Sequence, residues 1–126
     1  GDAVSITVVF DEAVTVTVGG NGAPTLTLDN GATATYASGT GTTDIVFSYT
    51  PTAGDTNSTD LDVTAINNTA GDSTMLDAAG NTIDTTVAAN ALSGANAVVI
   101  ASEVPNVQSM SATDGTYAVG EAVSIT

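Results

Sequence analysis

Fourteen Asp and Glu side chains, with no Lys, Arg or His among 126 residues, are the only titrating chemistry this chain has to offer beyond three Tyr. Carboxylates can move protons or hold hard cations. Nucleophilic catalysis needs a base beside Ser, Thr, Cys or Lys, and the chain has no His, Cys or Lys to build a dyad or triad. A paired-carboxylate glycosidase is chemically open. However, the absence of Trp and a total of three Tyr leave little from which to build a sugar cleft. The sequence therefore predicts a protein that is not an enzyme. Calcium is the sharper expectation, because it takes six to eight oxygens from carboxylates, carbonyls and water, and this chain sets acids in its turns.

The candidate ligands are Asp2, Asp11, Glu12, Asp29, Asp55, Asp77, Glu103, Asp114 and Glu121. They show no EF-hand spacing, so a site would be assembled from several loops around a structural ion. Tracing the strand runs up and down places Asp2, Asp114 and Glu121 at one pole of a domain. The same tracing places Asp11, Glu12, Asp29 and Asp55 at the other pole, near Glu103. The competing reading is a solvated acidic surface. For Asp77, in Asp77-Ala78-Ala79-Gly80-Asn81, the alternative is an Asx turn with Gly80 supplying positive φ. Asp60 and Asp62, flanking Leu61, read as a solvated strand face. Two carboxylates ~4 Å apart repel by about 1 kcal/mol in water and about 4 kcal/mol near a protein surface, so salt, spacing or a bound cation must offset them.

The elements that would position these acids are strands. Val4, Ile6, Val8 and Phe10 alternate with Ser5, Thr7 and Val9, and Val14, Val16 and Val18 alternate with Thr15 and Thr17. Leu26 and Leu28, Ala34 and Tyr36, then Ile45, Phe47 and Tyr49 continue a period of two, which Leu61, Val63 and Ala65 repeat more weakly. Such runs are half-buried antiparallel strands. Turns fall at Gly19–Pro24, at Asn30-Gly31, where a hairpin turn needs positive φ at both residues, at Ser38–Gly41 and between Pro51 and Asp60. Short strands at this spacing predict an all-β sandwich of about seven to nine antiparallel strands. Beyond Asn67 the signal fades, and only a short strand near Thr82–Val87 and a last one at Ala97–Ala101 are expected, with no long helix.

The chain also repeats itself. Gly1-Asp2-Ala3-Val4-Ser5-Ile6-Thr7 returns as Gly120-Glu121-Ala122-Val123-Ser124-Ile125-Thr126, six identities in seven at an offset of 119 residues. A fixed period of that length marks a string of whole domains rather than a solenoid. The expected organisation is a sandwich over 1–101 lacking its first strand, a linker over 102–106 around Pro105, and the first strands of a next repeat over 107–126. The tail has three outlets: it folds back on its own domain, it begins a second domain, or it pairs with a neighbouring subunit by strand addition. Without basic side chains, nucleic acid and anionic membrane surfaces are poor partners. No apolar run approaches the ~20 residues of a membrane-spanning helix, so no direct membrane insertion is expected, and an export signal is expected outside these residues. Two Asn-x-Ser/Thr triplets, at Asn57 and Asn67, lie in a chain so rich in Thr and Asn that chance accounts for them.

Taken in order, several stretches resemble the bacterial immunoglobulin-like (cadherin-like) tandem repeats of large surface and secreted adhesins, in a circularly permuted frame. They are Asp114-Gly115-Thr116-Tyr117 with Gly120-Glu121, Phe10-Asp11-Glu12-Ala13-Val14, Pro24–Asp29, Ala34–Thr42, Phe47–Thr50, Gly54-Asp55 and Asp77–Asn81. Ala13 stands where that family commonly has Pro, and 82–101 carry none of its motifs. The resemblance implies an immunoglobulin-like Greek-key sandwich, an extracellular or cell-surface location, and calcium at the domain poles. Together the readings predict a structural unit of an extracellular fibre or adhesin stalk. Its partners are copies of itself joined head to tail, with host or surface glycans left to other domains. The alternative is a carbohydrate- or cell-surface-binding module, since sandwiches host both roles.

Overall fold

A computed structural model describes residues 2–68, 72–102, 107–111, 118–120, 122 and 125. The chain is all-β, with no helix among the described residues. Six antiparallel strands form one sheet: β1 (Val4–Thr17), β2 (Thr25–Leu28), β3 (Thr33–Ser38), β4 (Thr42–Tyr49), β5 (Val63–Asn67) and β6 (Thr74–Leu76). Their spatial order is β5-β2-β3-β4-β1-β6. In a flat sheet the edge strands would lie about 24 Å apart, five spacings of roughly 4.8 Å. Yet Val63 of β5 and Met75 of β6 share one buried cluster with Leu26, Phe47 and Ile6. The sheet therefore curls around its own apolar face.

Period-two patterning explains that face. Val4, Ile6 and Val8 stand opposite Tyr49, Phe47 and Ile45 across the β1–β4 ladder, so one side of the pair is continuously apolar. Ile45 and Phe47 are fully buried, as are Leu26, Leu61 and Met75. Tyr36 packs edge-on against Phe47, with ring centroids 6.2 Å apart and planes at 80°. Thr lines the opposite, wetter face of β2 and β3, where its branched Cβ suits the pleat.

The structure departs from the sequence expectation in three places. First, the runs 4–10 and 14–18 are not two strands, because the chain does not reverse at Asp11-Glu12. β1 continues through it, laddering with β4 over Val4–Val9 and with β6 over Thr15–Thr17. Between Val9 and Val14 it advances five positions while β4 retreats two, from Asp44 to Thr42, which leaves three extra residues in a bulge. Second, 82–87 and 97–101 make only single bridges, Leu76↔Thr82 and Ser58↔Ile100, rather than strands. Ile83, Val87, Val98 and Ile100 still bury their side chains on alternate positions, so the parity survives without a ladder. Third, only Gly31 of the Asn30-Gly31 pair has positive φ, at 84°. Asn30 instead turns its side chain to use, its Oδ1 accepting from Ala32 N at 3.1 Å and its Nδ2 donating to Tyr49 Oη at 3.1 Å.

Candidate cation-binding groove

The β1 bulge lifts Asp11 and Glu12 out of the sheet and leaves both exposed. β6 runs alongside and turns directly at Asp77, so the bulge and the turn face each other across a depression of about 240 Å³. Asp11, Glu12, Asp77 and Asp84 line it, over a floor that includes Val14 and Ile83.

Asp77 builds its own turn. Its Oδ1 accepts from Ala79 N and Asn81 N, each at 2.8 Å, and its Oδ2 accepts from Asn81 Nδ2 at 2.8 Å. The Asn81 side-chain amide, then the backbone N–H groups, hold this carboxyl below the usual range. Gly80, at φ 89°, closes the turn, and Asp77 N donates to Asn81 O at 2.9 Å. Asp84 does the same on a smaller scale. Its Oδ1 accepts from Thr86 Oγ1 at 2.7 Å and from Thr86 N at 2.9 Å, and these bonds keep it below the ordinary carboxylate range. Two carboxylates are thus fixed by their own turns, and share the groove with Asp11 and Glu12. No three acidic residues among those described stand close enough to ligate one ion.

The remaining acids sit elsewhere, and the expected pole assignment fails for Asp29 and Asp55. β4 runs antiparallel to β1, with Val4 opposite Tyr49 and Val9 opposite Asp44, about 17 Å further along at ~3.4 Å per residue. Asp29 and Asp55 belong to the Tyr49 end, the end at which β1 begins just after Asp2, while Asp11 and Glu12 belong to the Asp44 end. The cause is the unbroken β1. A chain that does not reverse at Asp11 exchanges the poles of every later turn. Glu103, Asp114 and Glu121 lie outside the described residues.

At the Tyr49 end the acids serve the fold. Tyr49 Oη donates to Asp55 Oδ2 at 2.8 Å, and Thr52 N donates to the same oxygen at 2.8 Å. The Thr52 N–H, then the Tyr49 hydroxyl, lower the Asp55 pKa, while burial and then the Asp55 carboxylate push the Tyr49 phenol up. Ser102 anchors here too, its Oγ donating to Asp55 O and its N donating to Asn57 Oδ1 at 2.9 Å. Asp62, read from sequence as solvated, instead accepts at Oδ1 from Leu92 N at 2.8 Å and Ser93 N at 3.3 Å. Burial pulls its pKa up, but these N–H donors outweigh burial and leave it lowered. Asp29 in turn accepts from Asp62 N at 3.1 Å. The sequence reading missed Asp84 and Asp62. The Asp84-x-Thr86 spacing of a side-chain-capped turn signalled the first, and nothing local signalled the second, whose partners lie thirty residues away.

No protein-family model matches the chain, and neither the curated proteins nor the solved structures contain a match.

Proposed function

We propose that this chain is the repeating unit of an extracellular fibre or adhesin stalk. In this reading it is an immunoglobulin-like sandwich of about seven to nine strands, joined head to tail through its C-terminal segment and stiffened at the joints by calcium. One comparison carries the reading. Ile6, in the first copy of the repeated heptapeptide, is 4% exposed in the apolar core, whereas its counterpart Ile125 is 70% exposed. The same residue of the repeated sequence is thus buried at Ile6 and exposed at Ile125. Val107, Met110 and Val119 are also exposed, and none belongs to the core cluster. In this reading these exposed apolar side chains are the ones a neighbouring copy covers. Head-to-tail contacts that do not close give a filament.

The charge supports calcium as the cement. With 14 acids and no base, two stacked copies bring carboxylates together that only a cation can reconcile. The groove acids of one copy would supply part of a coordination sphere, and Glu103, Asp114 and Glu121, with Asp2, would supply acids near the joint. Negative-stain imaging of the purified protein with calcium tests the reading: filaments or beaded rods are expected, and discrete monomers at every concentration reject it. Calorimetric titration of calcium into chelator-treated protein tests the ion, and an absence of heat rejects it.

A further inference from the structure

β1 is laddered along only part of its second edge. Thr15–Thr17 pair with β6, whereas among the described residues no strand ladders with the second edge of Val4–Val9. Along that open edge lies a groove of about 260 Å³, walled by Ile6–Val9, by Val63 and Ile66 of β5, and by the 86–92 segment. An open sheet edge beside apolar walls is a template for one more strand.

The sequence names the strand that fits. In its second occurrence the heptapeptide Gly120–Thr126 is preceded by Val107–Val119, with the Asp114-Gly115 turn signal between. In that frame a turn at Asp114-Gly115 would set Val107–Ser111 antiparallel beside the repeated strand. The first copy of the heptapeptide offers the same edge at Val4–Val9. Charge selects this pairing as well. None of the groove's lining residues is charged, and no acid occurs between Glu103 and Asp114. In a chain without a single base, uncharged surfaces are the ones two copies can join without repulsion.

Building on the head-to-tail reading above, we infer that the groove along Val4–Val9 receives Val107–Ser111 of a second copy as an antiparallel strand. The direction sets the polarity of the joint. A strand antiparallel to β1 enters at the pole of Asp11, Glu12, Asp77 and Asp84. In the donor, Ser102 is tied to Asp55 and Asn57 at the opposite pole. The Asp29–Asp55 pole of one copy therefore meets the Asp11–Asp77 pole of the next, and divalent cation promotes the contact.

The absence of native Cys makes cross-linking clean. Full-length chains carrying Gln108→Cys or Ser109→Cys, which cover both faces of a strand, are mixed with chains carrying Thr7→Cys or Val8→Cys and oxidised in calcium. Exposed Thr43→Cys, away from the groove, serves as the control acceptor. At least one groove pairing is expected to give the disulfide-linked heterodimer about tenfold above control, from the effective concentration at a docked edge. Val107→Asp with Met110→Asp should abolish the association seen by sedimentation. Association with groove and control acceptors linked equally overturns this site and leaves the stalk reading standing, whereas no association overturns both. A Ser109→Cys/Thr7→Cys double variant that closes within one chain overturns the second copy as occupant.

Discussion

Asp77 shows how one carboxylate can serve both fold and site. Its two oxygens are committed to Ala79 and Asn81, and those bonds favour the charged form. A folded-state pKa below the unfolded value of ~3.9 adds stability above that value and loses it as pH falls through the folded pKa. Asp77→Asn keeps one acceptor oxygen and removes the charge. It should lower the urea midpoint at pH 7, and the difference from wild type should close as pH falls toward 2. Tyr49 offers a second test at the opposite pole. Burial and the Asp55 carboxylate raise its pKa, so one tyrosine should ionise above the ordinary value of ~10 in a spectrophotometric titration. Asp55→Asn, which removes the charge but not the fold around it, should shift that late phase to lower pH. An unmoved phase would assign the whole effect to burial.

At the scale of elements, the strands were legible wherever apolar residues alternate on one parity, because that parity is the core face. Ile6, Leu26, Ile45, Phe47 and Tyr49 were all marked this way and all are buried. The bulge was misjudged because Asp11 and Glu12 interrupt the alternation as a turn does. The even parity that runs from Val4 through Phe10 to Val14 and Val16 was the sign that the strand continues. That single misreading exchanged the poles of Asp29 and Asp55, while the groove itself depends on β6 lying beside β1, a pairing about sixty residues apart that no local pattern encodes. The β3–β4 turn gives the element-level prediction. A Cβ on Gly39, at φ 106°, would sit 2.1 Å from Asp44 O, whereas one on Gly41, at φ 81°, meets nothing within 4 Å. Gly41→Ala should cost about 1 kcal/mol, the left-handed penalty alone. Gly39→Ala adds a backbone clash to a conformational cost of about 1–3 kcal/mol. Chemical denaturation should rank the two clearly, and equal costs would mean that the turn simply relaxes.

For the molecule as a whole, fourteen like charges have no basic side chain within the chain to neutralise them. Monovalent salt shortens the Debye length from about 10 Å at 0.1 M to about 3 Å at 1 M, so sodium chloride should raise Tm by screening every pole alike. Calcium at constant ionic strength leaves the Debye length unchanged, so a further rise in Tm reports calcium held by the folded state, at a site or as a condensed counterion. The groove acids separate the two effects. Asp11→Asn with Glu12→Gln leaves the Asp77 and Asp84 turns intact and removes two of the four facing carboxylates. This variant should keep the sodium chloride increment, gain Tm in the absence of divalent cation through relief of repulsion, and lose most of the calcium increment. A calcium increment that survives the double substitution would move the ion to another pole. An increment that magnesium reproduces fully would reduce calcium to a diffuse counterion, because magnesium demands a tighter octahedron than acids spread over a bulge and two turns can form.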